Sequence, residues 1–147
     1  MLKFSPAIFR PSATTEFPQP VQVFRMMDTW DFEKMKVPLR DGDQIAGHSR
    51  QGVEIAIEGQ IGKHSGELKL TEPEMLLTLQ TLREAFNVDS AADQYSLILF
   101  ADEPSSDYRY FKSCTTTRFE FDLSNQHLYS FAATIHAADP TLYAGMI

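Results

Sequence analysis

The chain has 147 residues, of which 43% are hydrophobic and 22% charged, and it carries a formal net charge of −7. That acidic balance argues against tight wrapping of nucleic acid or an anionic membrane, since both need clustered positive charge. The single cysteine, Cys114, excludes an internal disulfide framework, and no apolar run approaches the ~20 residues that cross a bilayer.

The length suits one domain that buries its own core without a metal or disulfide. Residues 1–20 hold Pro6, Pro11, Pro18 and Pro20, which disfavour a regular helix and most ladder pairing. This stretch is expected to be an extended N-terminal arm, with the domain proper over 21–147. Pro6 and Arg10 interrupt its apolar residues, so no signal peptide is expected. Phe4, Ile8, Phe9 and Phe17 make it too apolar for a plain tail and mark it as a contact for its own domain or a neighbouring subunit.

Residues 21–26 are predicted to form a first strand and 32–39 a second, ended by Pro38 and the turn Arg40-Asp41-Gly42-Asp43. From Gly52 the pattern sharpens. Val53, Ile55 and Ile57 alternate with Glu54, Ala56 and Glu58, the period of a half-buried strand, which Gly59, Gly62 and Gly66 are expected to break. A helix follows over 73–86. Thr71 and Glu74 have capping-box spacing, Pro73 sits in the first turn, and Met75, Leu76, Leu79, Leu82 and Phe86 recur at helical intervals. Asn87 is the expected C-cap. The stripe of this one helix must pack on a sheet.

Residues 95–101 are apolar on both faces, as in a central strand, and 102–107 make a polar turn. Residues 108–123 form a long run rich in Tyr, Phe and Thr, interrupted at most by a bulge. Asn125-Gln126 turns into 127–137, where Tyr129, Phe131, Ala133 and Ile135 share a face. These two runs predict a long antiparallel hairpin. The expected fold is mainly β (α+β): a two-sheet sandwich or split barrel with one flanking helix.

No motif points to catalysis. Gly47-His48-Ser49-Arg50-Gln51-Gly52 has one residue too many for a nucleophile elbow and reads as a turn before the Val53 strand. Gly59-Gln60-Ile61-Gly62-Lys63-His64 lacks the first glycine and closing Ser or Thr of a phosphate loop, and reads as a hairpin loop. His48, His64, His127 and His136 show no ligand spacing. In one regular strand His127 and His136 point to opposite faces. Asp41-Gly42-Asp43 lacks the later ligands of a calcium loop. Glu54 and Glu58 fall about 13 Å apart along a strand, beyond the roughly 5–9.5 Å of paired glycosidase carboxylates. Glu120 and Asp122 alternate with Phe119, Phe121 and Leu123, as on a strand's solvated face. Cys114 is expected to be buried. No enzyme activity, cofactor or metal is expected. The aromatic content and apolar arm suggest assembly instead.

The order of features resembles the N-terminal domain of distal tail proteins of long-tailed bacteriophages, and the wider tail-tube fold. The resemblance runs from Asp41-Gly42 through Val53-Glu54-Ile55-Ala56-Ile57-Glu58-Gly59-Gln60-Ile61, the helix and the strand at 95–101. It ends in Phe131-Ala132-Ala133-Thr134-Ile135-His136-Ala137-Ala138-Asp139-Pro140-Thr141-Leu142-Tyr143. It covers about two thirds of the chain. It implies a homo-hexameric ring at the distal end of a phage tail. That ring joins the tail-tube protein to the tail-tip hub protein and leaves a channel through which DNA passes without specific binding. It also implies a virion location, assembly in the host cytoplasm and no membrane contact. Many members carry a second, C-terminal domain. The sequence stops just after Tyr143, so a minimal ring-forming version is expected. Expected interface residues are Phe4, Ile8, Phe9, Phe17, Tyr108, Tyr110 and Tyr143. The alternatives are a tail-tube subunit stacked in many rings and a small-ligand-binding β-barrel.

Overall fold

The computed structural model describes residues 3–18, 21–36, 38–39, 41–62, 71–90, 93–102, 107–125 and 128–145. Before the helix the strands are β1 (Lys3–Arg10), β2 (Ala13–Glu16), β3 (Val21–Met27), β4 (Trp30–Lys36), β5 (Asp43–Arg50) and β6 (Val53–Gly62). After helix α1 (Glu72–Phe86) come β7 (Tyr95–Asp102), β8 (Asp107–Asp122), β9 (Leu128–Ala137) and β10 (Tyr143–Gly145). The chain is therefore mainly β with one flanking helix.

Eight strands form one antiparallel sheet in the order β2-β1-β7-β8-β9-β6-β3, with β10 paired to β8 off that path. β4 and β5 pair as a separate hairpin. The large sheet does not close into a barrel, but it curls. Phe4 of β1 and Phe24 of β3, separated by four strands in the order, bring their rings within 5.2 Å.

The core fills the concave side. β6 contributes Val53, Ile55, Ile57 and Ile61, and β9 contributes Tyr129, Phe131, Ala133, Ile135 and Ala137, by the expected alternation. α1 lays Met75, Leu79, Leu82, Ala85 and Phe86 on this surface. Thr71 and Glu74 complete the capping box, and Asn87 caps the C-terminus. Leu76, assigned to the buried stripe from its spacing, is 42% exposed, and Ala85 takes that place in the contact. Leu76 lies about 100° round the helix from Met75, which turns it off the sheet.

Three further expectations need correction. The extended arm is not an arm over its described residues: β1 and β2 form a hairpin, and β1 pairs with β7. Pro6 and Pro11 sit where ladder donors are not needed. Pro6 lies in the register shift between Phe4 and Ala7, Pro11 lies in the turn, and the Pro6 carbonyl accepts from the Phe17 amide at 3.2 Å. Second, the expected turn at 47–52 is mostly strand, because β4 supplies a partner along Asp43–Arg50. Third, Gly59 and Gly62 continue β6, opposite Phe131 and Leu128. A ladder needs backbone groups rather than side chains, and both neighbours of β6 supply them. Gly66, Lys63, His64 and His127 lie outside the described residues.

The predicted long hairpin forms from β8 and β9, with its bulge between Thr116 and Arg118. β8 does two jobs along its length. Residues up to Cys114 pair with β7, and residues from Cys114 onward pair with β9. The distal half of β8 therefore has β9 on one side and, among the described residues, no strand on the other.

Candidate functional site

The residues that leave the core face of β6 are Glu54, Ala56, Glu58 and Gln60. Register extends each into a row across the outer face. Glu54 stands between Met27 and His136, Ala56 between Arg25 and Thr134, and Glu58 between Val23 and Ala132. β8 continues the rows, with Thr115 beside His136, Arg118 beside Thr134, Glu120 beside Ala132 and Asp122 beside Ser130. The outer face of β6, β9 and distal β8 is thus mostly small and polar, with four carboxylates and Arg118, while β3 adds Val23, Arg25 and Met27 at its edge.

This face is an open, shallow basin of about 580 Å³ bounded by Gln22, Glu58, Gln60, Glu120, Asp122 and Ser130. Glu120 pairs with Arg118 along the strand, both well exposed. Asp122 accepts from the Ser124 amide at 2.8 Å, and its bonds from Ser124 hold its carboxyl below the usual range. Glu54 meets the His136 ring at 2.8 Å, Oε1 to Nδ1. Gly52 lies beneath that ring: a Cβ there would stand 2.7 Å from the imidazole and 2.5 Å from the Ala137 carbonyl oxygen. Among the described residues no three potential ligands converge as a metal site. The arrangement offers negative charge spread over a smooth surface, which repels phosphates.

On the other half of the sheet the outer face is apolar. Ala7, Ile98 and Tyr110 are buried there, with Phe9, Tyr108 and Tyr143 packed round them. The Asp139-Pro140-Thr141-Leu142-Tyr143 segment builds one wall. Asp139 accepts from the Thr141 amide at 3.0 Å and from the Tyr143 hydroxyl. These bonds lower the Asp139 pKa, while Asp139 raises that of Tyr143. Tyr143 stacks on Tyr110 at 5.8 Å, beneath the Lys112 ammonium at 4.4 Å.

The expected interface residues therefore separate. Phe9, Tyr108, Tyr110 and Tyr143 come together, although Tyr110 is already buried within its own chain. Ile8 and Phe17 belong to the main core at 1% and 3% exposure, so the folded chain already covers both. Phe4 is 41% exposed at the curled edge, against Phe24 and Phe100. His48 lies in β5 opposite Phe32. Cys114 is buried, and desolvation pushes its thiol up to about 12, so no thiolate is available at neutral pH.

Sequence reasoning missed Arg10. Its guanidinium donates to the Ala85 carbonyl at 3.0 Å, to the Asn87 carbonyl, and to the Asp93 backbone and side chain at 3.2 and 2.8 Å. It also lies 5.2 Å from the Tyr95 ring centroid. It closes the negative end of α1 from 75 residues away in sequence. Also missed were the exposed Met26 and Met27 on β3.

No family model matches the sequence, and neither does any curated protein. Among solved structures the fold is similar to the Dit (gp 19.1) protein of phage SPP1, described as a paradigm of the hub adsorption apparatus in phages that infect Gram-positive hosts. The TM-score is 0.59 at 17% identity, over 84% of this chain and 46% of that one. The chain thus spans less than half the length of that protein. The fold is also similar to a chain of the PVC sheath-tube complex, from an extracellular contractile injection system in its extended state. There the TM-score is 0.50 at 9% identity, over 99% of this chain and 89% of that one. The chain has the fold of phage-tail and tail-like proteins.

Proposed function

We propose that this chain is a structural subunit of a phage tail or tail-like particle, whose copies form a ring with the acidic outer face turned to a central channel. The observation that carries this reading is the face itself. Glu54, Glu58, Glu120 and Asp122 alternate with Ala56, Ala132, Ser130 and Thr134 over three strands. Small side chains leave the wall smooth, and the carboxylates keep DNA phosphates from adhering as they pass. The opposite face of the same strands is the hydrophobic core, so this surface is free to line a channel.

In this reading six copies make a homo-hexameric ring at the distal end of the tail. It links the tail-tube protein to the tail-tip hub protein. The ring assembles in the host cytoplasm and resides in the virion. A second reading, a tube subunit stacked in many rings, is favoured by the coverage of the injection-system match, 99% of this chain against 89% of that one. Electron microscopy of the purified protein, with its mass in solution, tests both. Single rings with a central hole support the distal ring, and stacked rings support the tube. A monomer at every concentration overturns both.

A further inference from the structure

We infer that the outer face of β2, β1, β7 and proximal β8 holds a socket for one lysine side chain of a partner protein, with Glu16 as its counter-ion. This face lies on the half of the sheet away from the acidic wall, so the inference stands apart from the ring. Strand register builds the socket. Glu16 of β2 stands beside Ala7 of β1, Ala7 beside Ile98 of β7, and Ile98 beside Tyr110 of β8. Ala7 and Ile98, 4% and 5% exposed, form the floor. Because Ala7 ends at a methyl group, the floor is sunk among larger neighbours. Phe9 of β1 and Tyr108 of β8 line it from the two sides of β7. The enclosed volume is about 220 Å³.

Volume, lining and charge together select the occupant. Sites for drug-sized ligands and cofactors run to about 300–1,000 Å³, so this smaller space suits a single side chain. The floor and both rings are apolar and accept a hydrocarbon stem. The rim is polar, with hydroxyls from Ser5 and Thr14 and the carboxylate of Glu16. That carboxylate has no ion pair or side-chain hydrogen bond among the described residues. Arg10 is held at the end of α1. Lys3 stands four residues along β1 from Ala7, about 13 Å at the rise of a strand. Lys112 lies over Tyr143, four strand spacings or about 19 Å from Glu16 in the same row. The chain thus sets a carboxylate beside an apolar slot and supplies no cation of its own.

A lysine complements each part. Its four methylenes cover Ala7 and Ile98 while the ammonium stays at the wet rim, where its three donors meet Glu16 and the two hydroxyls. The rings of Phe9 and Tyr108 favour a cation over a neutral group of the same shape. An acidic side chain is repelled by Glu16, and a purely apolar one leaves the carboxylate partly dehydrated without a partner. The net charge points to the source. At −7, another copy of this chain is repelled on approach, whereas a basic protein is drawn in. The partner is therefore a different, basic protein that presents a lysine from an exposed segment.

The experiment is methyl NMR of the full chain with labelled isoleucines, in which Ile98 reports the socket and Ile55 and Ile57 report the core. The probes are the blocked tripeptide Gly-Lys-Gly, the same peptide with norleucine for lysine, and n-butylammonium. The lysine peptide should shift Ile98 saturably and leave Ile55 and Ile57 in place. The norleucine peptide and the Glu16→Gln variant should each weaken binding about threefold or more, and Glu16→Lys should abolish the shift. Glu16 is exposed, so both variants should keep the parent's core signals. An unmoved Ile98, equal binding of the norleucine peptide, or a Glu16→Gln variant that binds like the parent overturns the inference. Butylammonium that binds as tightly as the lysine peptide also overturns it, by assigning the socket to a free amine. The signals are read in monomers and rings alike, so failure of the ring reading and failure of the socket are separate results.

Discussion

Phe4 and Phe24 meet edge to face, with centroids 5.2 Å apart and planes at 83°, although β7, β8, β9 and β6 separate β1 from β3 in the sheet order. An eight-stranded sheet brings such strands together only by coiling on itself, as strand twist favours. The contact holds the curl from which the smooth outer face of β6, β9 and distal β8 takes its shape. Five measurements follow from this arrangement.

Deleting residues 1–18 should unfold the domain. As an extended arm the segment would be dispensable for folding. As β1 and β2 it supplies Ile8 and Phe17 to the core and gives β7 its second neighbour. Losing two fully buried apolar side chains alone costs about 4–8 kcal/mol, comparable to the whole stability of a small domain. A truncated chain with the parent's cooperative melt would refute the placement.

Arg10→Ala should destabilise the fold by about 2–4 kcal/mol, because charged hydrogen bonds to the end of α1 are lost and part-buried carbonyls are left without a donor. Arg10→Lys should recover only part, since one ammonium cannot span the Ala85, Asn87 and Asp93 oxygens. Urea unfolding measures both. A loss below about 0.5 kcal/mol for the alanine variant would mean that Arg10 is idle.

Gly52→Ala should cost about 1–3 kcal/mol, because the added methyl meets the Ala137 backbone oxygen at 2.5 Å and the β6–β9 ladder must shift. His136→Ala in the same chain removes only the imidazole clash and should leave most of the penalty. Thermal unfolding of the pair separates the backbone clash from the ring clash. Full recovery in the double variant would place the whole clash on the imidazole.

Asp139 should contribute to acid sensitivity. Bonds from Tyr143 and Thr141 lower its folded pKa, so its contribution is present above the unfolded value near 3.9 and is lost as pH falls through the folded value. Asp122 is lowered in the same way and acts in the same window. The melting temperature of Asp139→Asn should therefore fall less between pH 7 and pH 2 than that of the parent. Identical falls would show that the Tyr143 contact carries no linkage.

Assembly should persist or strengthen as salt rises. In the proposed six-copy ring the formal charge would be six times −7, or −42, and salt screens that repulsion over about 10 Å at 0.1 M. Light scattering across a salt series measures it, with a DNA-binding titration alongside. Dissociation at high salt, or tight and salt-sensitive DNA binding, would contradict a non-adhesive channel.

The sequence by itself determined the elements whose signals are local. The capping box at Thr71 and Glu74, the helical recurrence through Leu79 and Phe86, and the alternation of Val53, Ile55 and Ile57 each lie within a few residues, and each forms as expected. The β8–β9 hairpin and its bulge were legible for the same reason. Tertiary structure alone decided what depends on distant partners. β7 turns a proline-rich stretch into β1, β9 and β3 carry β6 through Gly59, and β4 makes a strand of 43–50. Arg10 finds its carbonyls 75 residues or more away. The acidic outer face also needed register, because Glu58 and Glu120 become neighbours only across β9, through Ala132. Hydrogen-bond partners and cross-strand rows are relations between segments, and sequence periodicity records only how each segment divides its own side chains between two faces.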